Sequence, residues 1–134
     1  MTPALDGIRV LDFASVGPGA RASRMLSDYG AEVIKLGPTP KDGGKQIVPP
    51  YYAYSGHRLM RRGLLALKAD AGREAYLALA KDADVVLESF RPGVVDRLGI
   101  GYEATRAVND RIVYCSTSGF GQSGPQSAWA GHDV

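Results

Sequence analysis

Apolar and polar positions along this chain fall into short blocks of two kinds, and the blocks alternate. Arg9-Val10-Leu11-Asp12-Phe13 is an apolar run that reads as a strand and leads into Val16-Gly17-Pro18-Gly19. From residue 18 to 29 the period becomes helical, with Ala22, Met25, Leu26 and Tyr29 on one predicted face. Pro18 suits a first helical turn, where its missing N–H costs nothing, and Gly30 is a natural helix stop. Glu32-Val33-Ile34-Lys35-Leu36 follows as a second strand, which completes a βαβ unit.

From residue 37 to about 60 the chain is rich in Gly, Pro, Lys and Tyr, and the expectation is a long irregular loop over 37–60 within the domain. Regular structure resumes at Leu64-Leu65-Ala66-Leu67, followed by a predicted helix over 70–81 with Asp70 as its N-cap. A strand over 84–88, a turn at Arg91-Pro92-Gly93, short helical pieces over 94–98 and 102–108, and a strand over 112–116 complete the pattern. Strands alternating with helices predict an α/β fold, a parallel sheet with helices on both faces. There is no internal repeat and no linker that marks a second domain.

Composition narrows the function classes. The 134 residues are 45% hydrophobic and 22% charged, as expected of a soluble globular domain. Sixteen Lys and Arg against fourteen Asp and Glu give a formal +2, too small an excess to argue for nucleic acid or an anionic membrane as partner. Cys115 is the single cysteine, so an internal disulfide is excluded and a reducing, cytoplasmic setting is the natural reading. Its apolar run, Ile112-Val113-Tyr114-Cys115, reads as the setting of a passive core thiol. The N-terminus lacks a basic head followed by an apolar stretch, and no window approaches the roughly 20 apolar residues of a spanning helix, so neither export nor membrane insertion is expected.

Candidate chemistry gathers at strand ends. Gly17-x-Gly19-x-x-Ala22 follows a strand and opens a helix, as in a dinucleotide fingerprint, but the acidic residue expected at the end of the second strand is replaced by Leu36 and Gly37. Nicotinamide cofactors are therefore not expected, while a tight packing turn or a helix N-terminus facing another phosphate or carbonyl both remain open. Gly43-Gly44-Lys45 lacks the spacing of a phosphate loop, and His57 and His132 have no metal-ligand spacing, so no metal is expected. Ser89-Phe90-Arg91-Pro92-Gly93, continuing to Arg97, begins where a parallel strand ends, and its two arginines could hold phosphates through bidentate hydrogen bonds. Gly119-Phe120-Gly121-Gln122-Ser123-Gly124-Pro125 offers backbone with little side-chain bulk, and His132 could serve as a general base.

Taken in order, these segments resemble the class III CoA-transferases, a family that also includes carnitine-CoA transferases and α-methylacyl-CoA racemases. The resemblance runs through Leu5-Asp6-Gly7-Ile8-Arg9-Val10-Leu11-Asp12, Leu26-Ser27-Asp28-Tyr29-Gly30-Ala31-Glu32-Val33-Ile34-Lys35, Ala83-Asp84-Val85-Val86-Leu87-Glu88-Ser89-Phe90-Arg91-Pro92-Gly93 and Asn109-Asp110-Arg111-Ile112-Val113-Tyr114, and closes at Ser118–Pro125. It implies the N-terminal portion of a Rossmann-like large domain, coenzyme A or acyl-CoA as substrate with a carboxylic acid as partner, no prosthetic group, and interlocked homodimers that this stretch alone would not complete. By position, it implies Val16 and Gly17 beside the thioester, Leu65 and Leu67 along the nucleotide, and Ser89, Phe90, Arg91 and Arg97 around CoA, with Arg97 near the phosphates.

The chain departs from the family pattern at Gly37 and Pro38, where an acid and an arginine are usual, at His57-Arg58-Leu59-Met60-Arg61 for a more basic motif, and at Ala66 for an aspartate. The resemblance also implies a nucleophilic aspartate that attacks the thioester, lying beyond Val134 and distinct from Asp133, so the expectation is a partial domain over 1–134, inactive alone and with apolar surface left uncovered. Two alternatives accompany the transferase reading: an α-methylacyl-CoA racemase using His132, and a non-enzymatic CoA-binding fragment.

Overall fold

The computed structural model describes residues 1–14, 17–39 and 57–131. In chain order they form β1 (Arg9–Asp12), α1 (Gly17–Asp28), β2 (Glu32–Pro38), β3 (Arg61–Leu65), α2 (Asp70–Ala80), β4 (Val85–Glu88), α3 (Val94–Arg97), α4 (Tyr102–Arg106) and β5 (Val113–Ser116). The strands make one five-stranded sheet in the order β3-β2-β1-β4-β5, and every pairing is parallel. The chain first steps outward from β1 to β3, then returns past β1 to β4. Right-handed crossovers in these two directions place their helices on opposite faces, as observed: α1 packs on β1, β2 and β4, while α2 packs on β3 and α4.

Side-chain alternation supplies a core to each face. Val10, Val33 and Leu87 meet Ala22 and Leu26 of α1 on one side. Leu11, Leu36 and Val86 meet Tyr76, Ala80 and Ile100 on the other. The expected α/β fold with helices on both faces is therefore present.

Several local expectations are corrected. The buried stripe of α1 is Gly19, Ser23 and Ser27, whereas Met25 and Tyr29 are more than half exposed. Small residues at this spacing let the helix backbone approach the sheet, and they leave little hydrophobic signal in the sequence. β2 runs through Gly37 and Pro38, which pair with Leu64 and Leu65, so the strand continues two residues into the stretch read as a loop. Pro38 is tolerated because it ends the strand. Ala69, not Asp70, is the N-cap of α2; Asp70 opens the helix and pairs with Arg73 at 2.9 Å. Cys115 is exposed rather than a core thiol, because β5 is a sheet edge and much of its surface is open. Among the described residues, no helix is long and apolar enough to cross a membrane.

Candidate functional site

The two central strands, β1 and β4, mark the point where strand order reverses, and open α/β sheets bind ligands in the crevice outside the carboxyl ends at such a point. Both strands end in a buried carboxylate that accepts the amide two residues on. Asp12 Oδ1 takes the Ala14 N–H at 2.7 Å, and Glu88 Oε2 takes the Phe90 N–H at 2.7 Å. Each carboxylate thereby fixes the first residues that leave its strand.

Beyond these strand ends, four segments converge. A β-carbon added to Gly19 would stand 2.7 Å from Ala14 Cβ, 3.1 Å from Thr117 Oγ1 and 3.8 Å from Ser89 Cβ. The first turn of α1 thus touches the chain leaving β1, β4 and β5 at once. Thr117 is held there by its N–H and its hydroxyl, which donate to the Glu88 carbonyl at 2.9 and 3.0 Å. Gly17, at the start of α1, has φ +69°, a conformation that glycine adopts without the β-carbon penalty.

Phe90 packs its ring 6.1 Å from Phe13, which lies 5.5 Å from Tyr76, so the segment after β4 is anchored to the core. Leu65 and Leu67, at and just after the end of β3, pack on that same core. Ser89 and Arg91 are exposed beside Phe90, and Arg97 is exposed on α3. Gly93, with φ +77°, turns the chain into α3, and a β-carbon on it would meet Arg97 Nη1 at 3.5 Å. Among the described residues, neither Arg91 nor Arg97 is ion-paired. By contrast, Arg58 and Arg61 of the variant basic motif are tied to Asp28 and Glu32, each at 2.8 Å. Val16 and His132 lie outside the described residues.

Charged groups that the sequence pattern did not single out line the same edge. Asp12, Lys35 and Arg62 are successive register partners across β1, β2 and β3. Asp12 is fully buried and bonds Lys35 Nζ at 2.7 Å. Arg62 Nη2 donates to His57 Nδ1 at 3.1 Å, which puts the proton of a neutral ring on Nε2. Burial, then the positive charges of Lys35 and Arg62, hold the His57 pKa below its ordinary value, with Asp12 opposing. A charged residue ending an apolar strand was the available signal for Asp12 and Glu88. Among the described residues, no group of three or more His, Cys, Asp or Glu could hold a metal ion.

The sequence as a whole matches the model of CoA-transferase family III over residues 5–134. The chain belongs to CoA-transferase family III. The acetyl-CoA:oxalate CoA-transferase of Acetobacter aceti is 37% identical to it over 96% of this chain and 35% of the relative. The succinate–glutarate CoA-transferase of Agrobacterium fabrum is 36% identical over 98% of this chain and 36% of the relative. Among solved structures, a CAIB/BAIF family protein from Brucella suis superposes with a TM-score of 0.88 at 33% identity, covering 99% of this chain and 38% of that one. The Mycobacterium tuberculosis protein Rv3272 superposes with a TM-score of 0.85 at 36% identity, covering 96% and 36%. The chain therefore spans about a third of the length of these family III relatives.

Proposed function

We propose that this chain supplies the CoA-holding part of a class III CoA-transferase, a protein that moves CoA between an acyl-CoA and a carboxylic acid. The observation that carries the reading is the convergence of Gly19, Ser89 and Thr117 at the switch point. Exposed backbone at Gly17 and Ser89 suits the thioester end. Arg91 and Arg97, free of carboxylate partners among the described residues, suit the phosphates, since guanidinium groups bind phosphate bidentately. Leu65 and Leu67 offer an apolar rim for the nucleotide. The named relatives are CoA-transferases, which favours transfer over the racemase reading.

The family resemblance implies a nucleophilic aspartate outside the third of the relatives' length that this chain matches, so the reading assigns CoA holding to these residues and turnover to the full-length protein. Calorimetric titration with CoA tests the first half: binding is expected, and the Arg91→Ala/Arg97→Ala double variant should weaken it by about tenfold or more through lost charge-assisted bonds. Equal affinity in the double variant would remove the arginines from the site. Incubation with an acyl-CoA and a carboxylic acid tests the second half, and a new thioester formed by the isolated chain would contradict it.

A further inference from the structure

Among the described residues, one buried ion pair directs its remaining hydrogen bonds to a single residue. Asp12 and Lys35 bond each other at 2.7 Å, with Asp12 fully buried and the Lys35 side chain 11% exposed. Asp12 Oδ1 also accepts the Ala14 N–H at 2.7 Å, and Lys35 Nζ donates to the Ala14 carbonyl. The N–H and C=O of Ala14 are thus gripped by opposite charges. Ala14 is itself fully buried, and its methyl group meets the first turn of α1 at Gly19.

Stability gives no sufficient reason for such a pair. Desolvation of two charges consumes most of their attraction, and an apolar pair of similar volume is often as stable or more so. Val10 and Val33, two residues before each partner on the same face of the sheet, are fully buried and would accommodate apolar neighbours. What apolar side chains could not do is hold both polar groups of Ala14 at a fixed place. That place decides how the chain leaves β1, and hence how close the first turn of α1 comes to Ser89 and Thr117.

We propose that Asp12 and Lys35 are positioning residues that clamp Ala14 and thereby set the approach of Ala14 to Gly19 as a wall of the ligand site. The ligand part of this inference rests on the CoA reading above. Arg62, beside Lys35 in register and bonded to His57, adds a second cation to the row, so Asp12 is the carboxylate that holds Lys35 in place.

The test is the Asp12→Leu/Lys35→Met double variant, which keeps volume and removes both charges. Amide hydrogen exchange at Ala14 is read against Val10 and Leu11 of the same strand, so that any global change in stability cancels. Ala14 exchange is expected to rise relative to those amides by about tenfold or more, and the CoA dissociation constant to rise by about tenfold. Unchanged relative exchange at Ala14 overturns the clamp. Faster exchange with unchanged CoA affinity overturns its link to the ligand. If the wild-type chain binds no CoA, the CoA reading fails while the exchange result still decides the clamp. Should the variant not fold, the ammonium protons of Lys35 in the wild-type chain decide it by NMR: slow exchange with water is expected, and exchange as fast as that of a surface lysine overturns the clamp.

Discussion

Tyr76 donates a 2.7 Å hydrogen bond to Thr105 Oγ1 between two buried side chains. The direction follows from proton count, because the single Thr105 proton is given to the Gly101 carbonyl at 2.8 Å. Tyr114 reaches the adjacent Ile100 carbonyl at 2.9 Å. Three hydroxyls thus fix the turn at Ile100-Gly101 that follows α3, the helix bearing Arg97. Thr105→Val strands the Tyr76 hydroxyl in the core and is expected to cost about 1–3 kcal/mol. Tyr76→Phe removes only the donor and should cost about 1 kcal/mol. Denaturant unfolding checks the order, and a Thr105→Val variant as stable as Tyr76→Phe would contradict it.

The same tyrosines make the fold sensitive to alkali. Burial pushes the Tyr76 pKa up to about 12, from 10.0, the Thr105 bond opposing. Burial first, then the neighbouring Tyr76, Glu88 and Asp96, raises that of Tyr114 as well. A folded-state pKa above the unfolded one means that the native state keeps its proton longer. Stability is intact below about pH 10 and falls as pH rises toward 12, by on the order of 2 kcal/mol for Tyr76. Unfolding free energy measured against pH should fall less steeply there in Tyr76→Phe, and an unchanged slope would count against the argument.

Gly19→Ala sets local propensity against packing. Alanine in a helix gains up to about 1 kcal/mol over glycine, yet the new methyl group would stand 2.7 Å from Ala14 Cβ. Overpacking of this kind typically costs about 1–3 kcal/mol, so the expected sign is destabilising, with CoA binding weakened. A raised thermal midpoint with intact binding would show that the turn has slack.

These sites explain what the sequence could and could not reveal. β1, β2 and β4 were legible because runs such as Val10-Leu11 and Val85-Val86-Leu87 are apolar on both faces, the mark of a covered parallel sheet. The contact face of α1 was legible only at Ala22 and Leu26, since Gly19, Ser23 and Ser27 bury backbone approach rather than apolar side chains. Ser89-Phe90-Arg91 could be placed in the site because it follows a strand. Thr117 and the Asp12–Lys35 pair could not, because their importance lies in what they meet across the sheet: Gly19 and Glu88 for one, Ala14 for the other.

The segment after β5 closes on itself. A β-carbon on Gly119 would stand 2.4 Å from Gly131 Cα, and the rings of Phe120 and Trp129 meet edge to face at 5.9 Å. Gly119→Ala should pry this loop open while leaving the sheet intact. Trp129 is the single tryptophan, so its fluorescence reports the loop alone. A changed emission spectrum with a thermal midpoint near wild type is expected, and an unchanged spectrum would show that the Gly119–Gly131 contact does not hold the rings together.

The central claim is that CoA lies at the carboxyl edge of the sheet, across the β1–β4 switch point. Backbone amide shift mapping during titration with CoA tests it most directly. The account predicts shifts concentrated at Gly17, Gly19, Ser89, Phe90, Arg91, Arg97 and Thr117. Shifts gathered instead at the opposite edge, around Lys81, Asp84, Asn109 and Arg111, or no shifts at millimolar CoA, would contradict it.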